Sequence, residues 1–500
     1  MTDELQPPVE GPAFPGPKDA ADGGNPLSGF ADAPQGGAFG SPPDAAGFPG
    51  SPPHGTPPDL ASAATAQMTI PSGAGAPKLE EDVPPEVLVI AAAPELVANT
   101  LGDYLIAWWH KVRSGDSGVL PVVIALVLII IVFQTLRHKF LSPDNLVDLF
   151  NQMVVFALFA MAEVFVLLLG EIDLSVVYNA GIGAGLMAAL VAPPYNLPWW
   201  LCILIGVGTC TVVGLFLGTL ITRLRLPAFI VTLAAFLGLE GVMLWLFDRF
   251  TVAVGGVIEV SNPTLTNLVA GNISITVSWV VMGVLVLAYG VYSVVRNMRR
   301  RATGLVTPPM GFTLLKSAAV AAAGIVVVFV CSFNRGTKIF AEKGVPWSIP
   351  ILLGILALAS LLLSRTRFGR YVYAIGGNSE AARRAGINVN LIRTIAFGLT
   401  GLMAGLAGMM YLSLLGSIAT DIDPSYMLYA VAAAVIGGTS LYGGRGKALH
   451  GLLGGLVIAT VYNGIFLMGF GADVEYMIVA VVLAAAITVD SLTRGGQKAR

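Results

Sequence analysis

The chain has 500 residues, 55% of them hydrophobic and only 12% charged, and its mean hydropathy is +0.78; soluble domains carry about 25% charged residues. That balance excludes a soluble globular protein and makes the chain an integral membrane protein. The net charge of −2 gives no reason to expect a nucleic-acid partner, and Cys202, Cys210 and Cys331 lie singly in apolar runs, without the spacing of a disulfide or metal framework.

Residues 1–94 hold 19 of the 31 prolines and few large apolar side chains. Such a segment cannot bury enough surface to offset its ordering entropy, so a disordered cytoplasmic tail rich in Pro, Gly and Ala is expected. It lacks a basic stretch followed by an apolar one and is not read as a cleavable signal. Residues 95–116 set Trp108 and Trp109 beside Lys111 and Arg113, a pattern suited to an amphipathic helix lying at the membrane interface.

A permease-like membrane domain is expected over 117–495. A helix needs roughly 17–25 apolar residues to cross the hydrocarbon. Spans are placed at 119–136, 152–170, 175–192, 200–221, 227–247, 277–295, 314–333, 348–364, 393–415, 427–443, 448–469 and 475–492. The fold class is therefore all-α and polytopic, with about 12 transmembrane helices. The third and tenth spans are interrupted by glycines and could be short or discontinuous, which lowers the count to 10. Gly214 and Gly218, and Gly401 and Gly405, put small residues one turn apart, as closely packed membrane helices require. With the N-terminal tail inside, the inner loops hold nineteen Lys and Arg and the outer loops six, so both termini are expected in the cytoplasm.

That orientation puts the polar stretch 365–393 in the cytoplasm. Within it Asn378 and Ser379 are N-cap residues, Glu380 lies in the first turn, Ala381 and Ala382 favour helix, and Arg383 and Arg384 complete the last turn. Gly386 can take the left-handed position that ends it. Two turns are too few to persist alone in water, so the element is expected to dock against something.

Two glycine-flanked segments resemble each other: Gly170-Glu-Ile-Asp-Leu-Ser175 and Gly437-Gly-Thr-Ser-Leu-Tyr442 both follow apolar runs and both precede glycine-rich apolar helices. They are read as an internal repeat, the arrangement by which many transporters bring polar groups to a central site. Asp173, Ser175, Tyr178 and Asn179 in one, and Thr439 and Ser440 in the other, are the expected lining of a substrate pathway, although Asp173 equally suits a cap at the water boundary. Glu163 and Glu240 lie within apolar runs and Asp490 near the end of one, where each needs a partner or a proton. GGTSLYGGRGKAL is not a phosphate loop, because Leu441 and Ala448 replace the required glycine and hydroxyl residue.

GEIDLS at 170–175, TRLRLPAFIVTL at 222–233, RFGRYVYAIGGNSEAARRAGI at 367–387 and AVIGGTSLYGGRG at 434–446 together resemble the permease subunits of bacterial ABC importers for pentoses and other monosaccharides. The two extra spans around RRRATG look most like the xylose-type branch. The sequence departs from the pattern at Glu171, where a second glycine is common, and at Val177, where a glycine usually follows. The resemblance implies a chain that is not itself an enzyme, binds no cofactor, and works as a homodimer in the bacterial plasma membrane. ATP and Mg would be held by a cytoplasmic ATPase dimer, and an extracellular or periplasmic sugar-binding protein would deliver the substrate. It assigns ATPase contact to Glu380, Ala381, Ala382 and Gly386. The rivals are a secondary transporter coupled to protons through Glu163, Asp173 or Glu240, and an ABC permease for amino acids or nucleosides.

Overall fold

The computed structural model describes residues 120–250, 255–260, 262–304, 307–336, 342–420, 422–481 and 484. The tail 1–94, the interfacial segment 95–116 and Asp490 lie outside them.

Ser142 opens the second helix by accepting from Asn145 N at 3.4 Å, with Pro143 in its first turn and Asp144 at the positive end of its dipole. The same logic of caps and apolar runs yields, in chain order, α1 (Leu120–Leu136), α2 (Pro143–Leu167), α3 (Val176–Val191), α4 (Trp199–Leu224), α5 (Ala228–Arg249), α6 (Pro263–Ala270), α7 (Ile275–Ala302), α8 (Met310–Cys331), α9 (Ser348–Arg365), α10 (Arg367–Gly377), α11 (Ser379–Arg384), α12 (Val389–Leu415), α13 (Ser425–Ile436) and α14 (Ala448–Met468). A further helix covers 472–481. Among the described residues eight helices, α2, α4, α5, α7, α8, α9, α12 and α14, are long and apolar enough to cross a membrane; α1, α3 and α13 are shorter. The chain is an all-α polytopic membrane protein.

Several expected boundaries move. The second span begins at Pro143 and not at 152, because PDNLVDLFNQ is polar by composition yet capped and helical. The sixth runs on to Ala302 through its own arginines. The tenth ends at Ile436, so α13 is only about 18 Å long at 1.5 Å per residue and cannot cross about 30 Å of hydrocarbon. Its continuation, 437–447, is non-helical loop in which Thr439 and Ser440 are buried while Tyr442, Arg445 and Lys447 are exposed.

Buried residues concentrate in α2, α3, α12 and α14, which form the centre of the bundle. The expected close approach occurs between α4 and α12: a Cβ on Gly214 or on Gly401 would lie 3.2 Å from the other glycine's Cα, and would overlap a carbonyl of the facing helix. At one end of the bundle two short antiparallel ribbons join the loops, β1 (Val257–Glu259) with β4 (Ser417–Ala419) and β2 (Asn272–Ile273) with β3 (Val345–Pro346). The segments around 168–175, 366–388 and 437–447 gather at the other end.

Candidate functional site

At that second end the two glycine-rich motifs touch. Gly444 N donates to Leu168 O at 2.9 Å. A Cβ at Gly443, whose φ is +82, would stand 2.9 to 3.1 Å from Gly170 N, Gly376 O and Leu168 O. Three backbone segments therefore meet at a point where a side chain would force them apart. Gly376 belongs to α10, and α10 is fastened again where Tyr373 Oη donates to Gly446 O at 2.7 Å.

Helix α10 forms within the stretch 365–393, whose composition suggests polar loop outside the short capped helix. Thr366 Oγ1 caps it by accepting from Gly369 N at 3.2 Å, and it buries Val372 and Ile375 on one stripe. The expected short helix follows directly as α11. Asn378 Oδ1 accepts from Ala381 N at 2.9 Å. Gly386, at φ +81, ends it while Ile387 N donates back to Ala382 O at 3.1 Å. Ala382 is buried in the main core, whereas Ser379, Glu380, Ala381, Arg383, Arg384 and Gly386 face outward. Glu380 lies 3.7 Å from Arg383 and 3.6 Å from Arg384, exposed pairs of little energetic weight. The result is a small, charged knob that follows directly on α10, the helix fastened to the two motif loops.

The residues expected along a substrate pathway separate into two groups. Asp173 is 1% exposed, so it is no cap at a water boundary, although its Oδ1 does accept from Ser175 N at 3.0 Å and from Ser175 Oγ at 2.5 Å. Burial pushes its carboxyl up, and the two bonds from Ser175 pull against that. Its own N–H reaches Glu163 Oε2 at 3.4 Å. Thr439 and Ser440 are buried in the neighbouring loop, Thr439 Oγ1 lying 3.4 Å from His450 Nδ1 and Ser440 N donating to Arg445 O. Tyr178 and Asn179 do not join them. Tyr178 packs edge-on against Phe236 of α5, and Asn179 Nδ2 donates to Cys210 O of α4 at 3.1 Å. They lock α3 to its neighbours.

Two features escaped sequence reasoning. Glu171 forms an ion pair with Arg393, joining the first motif loop to the start of α12 just beyond the knob. Nearer the ribbon end, Phe159, Gly181, Tyr411 and Tyr426 line a narrow apolar cavity between α2, α3, α12 and α13. Tyr426 stacks on Phe156 with centroids 5.3 Å apart and meets Tyr411 edge-on at 5.5 Å. Of its lining, Phe159 belongs to a pattern visible in sequence, the face of α2 it shares with Gln152, Phe156 and Glu163 at helical spacing. Among the described residues no three His, Cys, Asp or Glu side chains converge as a metal would need.

The family described as branched-chain amino acid transport system / permease component matches residues 145–487. The chain is 30% identical over 390 residues to the xylose transport system permease protein XylH of Escherichia coli (strain K12), covering 76% of this chain and 94% of the relative. It is 29% identical over 384 residues to XylH of Haemophilus influenzae, covering 76% and 98%, and 29% identical over 374 residues to the ribose import permease protein RbsC of Escherichia coli (strain K12), covering 74% and 92%. No solved structure matches. With its knob, its paired glycine loops and a match over most of its length, the chain belongs to the ribose- and xylose-type permease family of ABC importers.

Proposed function

We propose that this chain is the membrane permease of an ABC importer that carries a monosaccharide, a pentose such as xylose, into the bacterial cell. ATP would be hydrolysed on a separate ATPase dimer, an extracellular or periplasmic binding protein would deliver the sugar, and two copies of the chain would form the channel. The observation that carries the reading is the junction beside α11, because α10, which leads directly into it, meets Leu168, Gly443 and Gly444 through the backbone of Gly376. Asn378, Ser379, Glu380, Ala381, Ala382, Arg383, Arg384 and Gly386 would make the ATPase contact. Sidedness supports this: Arg223, Arg225, Arg365, Arg367, Arg370, Arg383, Arg384 and Arg445 all belong to the α11 end, which the excess of positive charge in inner loops would put in the cytoplasm.

The sugar would enter at the ribbon end, pass the Tyr411 and Tyr426 rings, and leave past Asp173, Ser175, Thr439 and Ser440. Aromatic faces suit the apolar faces of a sugar ring, and buried carboxylates suit its hydroxyls. The sugar permeases among the relatives, aligned over three quarters of the chain, favour a sugar over an amino acid or nucleoside. The test is uptake of labelled xylose, ribose and leucine into proteoliposomes holding the chain with its ATPase and binding protein. Xylose uptake that requires ATP on the knob side is expected. Uptake driven by a proton gradient without the ATPase would overturn the reading in favour of a secondary transporter.

A further inference from the structure

Helices α7 and α8 form a hairpin that stands apart from the bundle. Among the residues of α7 only Ser278 and Asn297 are buried, and among those of α8 only Val328 and Cys331. A pair of apolar helices with so little protein around it has lipid for its neighbour. Toward the α11 end of the hairpin lies a cleft of about 240 Å³.

Its chemistry is one-sided. Tyr289, Ser293, Arg296 and Arg300 follow one another on α7 at intervals of four, three and four residues and so share a face. Lys316 faces them from α8, with Thr313 below it. No acidic side chain lines the cleft, and among the described residues Arg296, Arg300 and Lys316 have no carboxylate within ion-pair distance. Arg301 behaves differently: its guanidinium is used within the chain, on Thr307 Oγ1 and Pro308 O at 3.0 Å each, and straps the turn between the helices. The floor is Asn297, whose Nδ2 donates to Thr313 Oγ1 at 3.0 Å while its Oδ1 is buried with no donor among the described residues.

We propose that this cleft holds the head group of an anionic phospholipid, the phosphodiester lying among Arg296, Arg300 and Lys316 and a head-group hydroxyl satisfying Asn297 Oδ1. Basic clefts between transmembrane helices at a membrane surface suit such head groups, since three unpaired cations at a lipid boundary otherwise lack a counter-ion. A lipid fits better than a free phosphate because the surface below the cleft is continuous and apolar. Val284, Leu285 and Leu287 of α7 and Val320 of α8 are exposed there and would lie along the acyl chains. The proposal does not depend on which solute the chain carries.

The full chain, delipidated in detergent, should be offered mixed micelles of phosphatidylglycerol, of phosphatidylcholine, or inorganic phosphate alone, with bound lipid counted by native mass spectrometry and the unfolding midpoint followed. Phosphatidylglycerol alone should bind and raise the midpoint. The Arg296→Gln, Arg300→Gln, Lys316→Gln triple variant should bind it roughly 100-fold more weakly, and the charge-conserving Arg296→Lys, Arg300→Lys double variant should keep most of the binding. Equal retention by the triple variant overturns the proposal. So does an equal response to phosphatidylcholine, or full protection by phosphate alone, which would make the cleft a simple anion site. Should the triple variant fail to insert, the unmodified chain's selectivity among the three additions decides the matter.

Discussion

Glu171 and Arg393 are 222 residues apart in sequence and joined in space. Glu171 is 7% exposed and the Arg393 side chain 33%, so the pair is less screened than a surface one and less costly to desolvate than a fully buried one. Removing one partner strands the other, which for buried pairs costs about 3–5 kcal/mol and here, with Arg393 partly wet, about 2 kcal/mol. Arg393→Gln and Glu171→Gln should each lower the unfolding midpoint in detergent, and the double variant should lose clearly less than their sum, with a coupling above about 1 kcal/mol. Additive losses would mean that the two side chains do not recognise each other. No periodicity could have revealed this pair, because an ion pair between a loop and a helix 222 residues away leaves no trace in local sequence.

Helix α11 shows what was legible at the next scale and why. Its caps are local chemistry, so Asn378 and Gly386 could be assigned from type and spacing, and both perform as the pattern requires. The helix before it was equally written in the sequence: Phe368, Val372 and Ile375 repeat at four and three residues. A hydropathy reading passed over it because Arg367, Arg370 and two tyrosines dilute the run, as Asp144, Asn145 and Asp148 disguised the first turns of α2. The meeting of Leu168, Gly376 and Gly444 was not legible, being made by backbone atoms alone. Gly386 offers a clean test of the lever, because a Cβ there would meet nothing within 4 Å, so any penalty comes from its positive φ. Gly386→Val should cost about 1–2 kcal/mol of local strain, and Gly386→Asn, which tolerates the left-handed region, much less. With binding protein and ATPase reconstituted, the valine variant should insert normally but lose most sugar-stimulated ATP hydrolysis, and the asparagine variant should keep it. Equal activity in both would remove α11 from the coupling pathway.

The described residues have two chemically unlike ends, and the proposed direction in the membrane rests on them. The α11 end gathers most of the arginines and the three glycine loops, while the opposite end carries the paired ribbons and, near Arg137, the turn at Met468, joined by a hydrogen bond of 3.4 Å. Between them α2 runs as a continuous polar and aromatic stripe, from Asp148 beside Arg335 and Glu342 to Glu163 beside Asp173. The proposed import path along that stripe puts the ribbon end toward the binding protein and the α11 end toward the nucleotide, a direction that labelling can test. All three native cysteines are buried, so an introduced one can be read against a low background. Lys139→Cys lies in the exposed turn after α1 at the ribbon end, and Arg384→Cys on the outward face of α11. In intact cells a membrane-impermeant maleimide should label the first and leave the second untouched, and opening the cells should expose the second. Labelling of Arg384→Cys from outside would invert the molecule, put α11 where no ATP is found, and take the importer reading down with it.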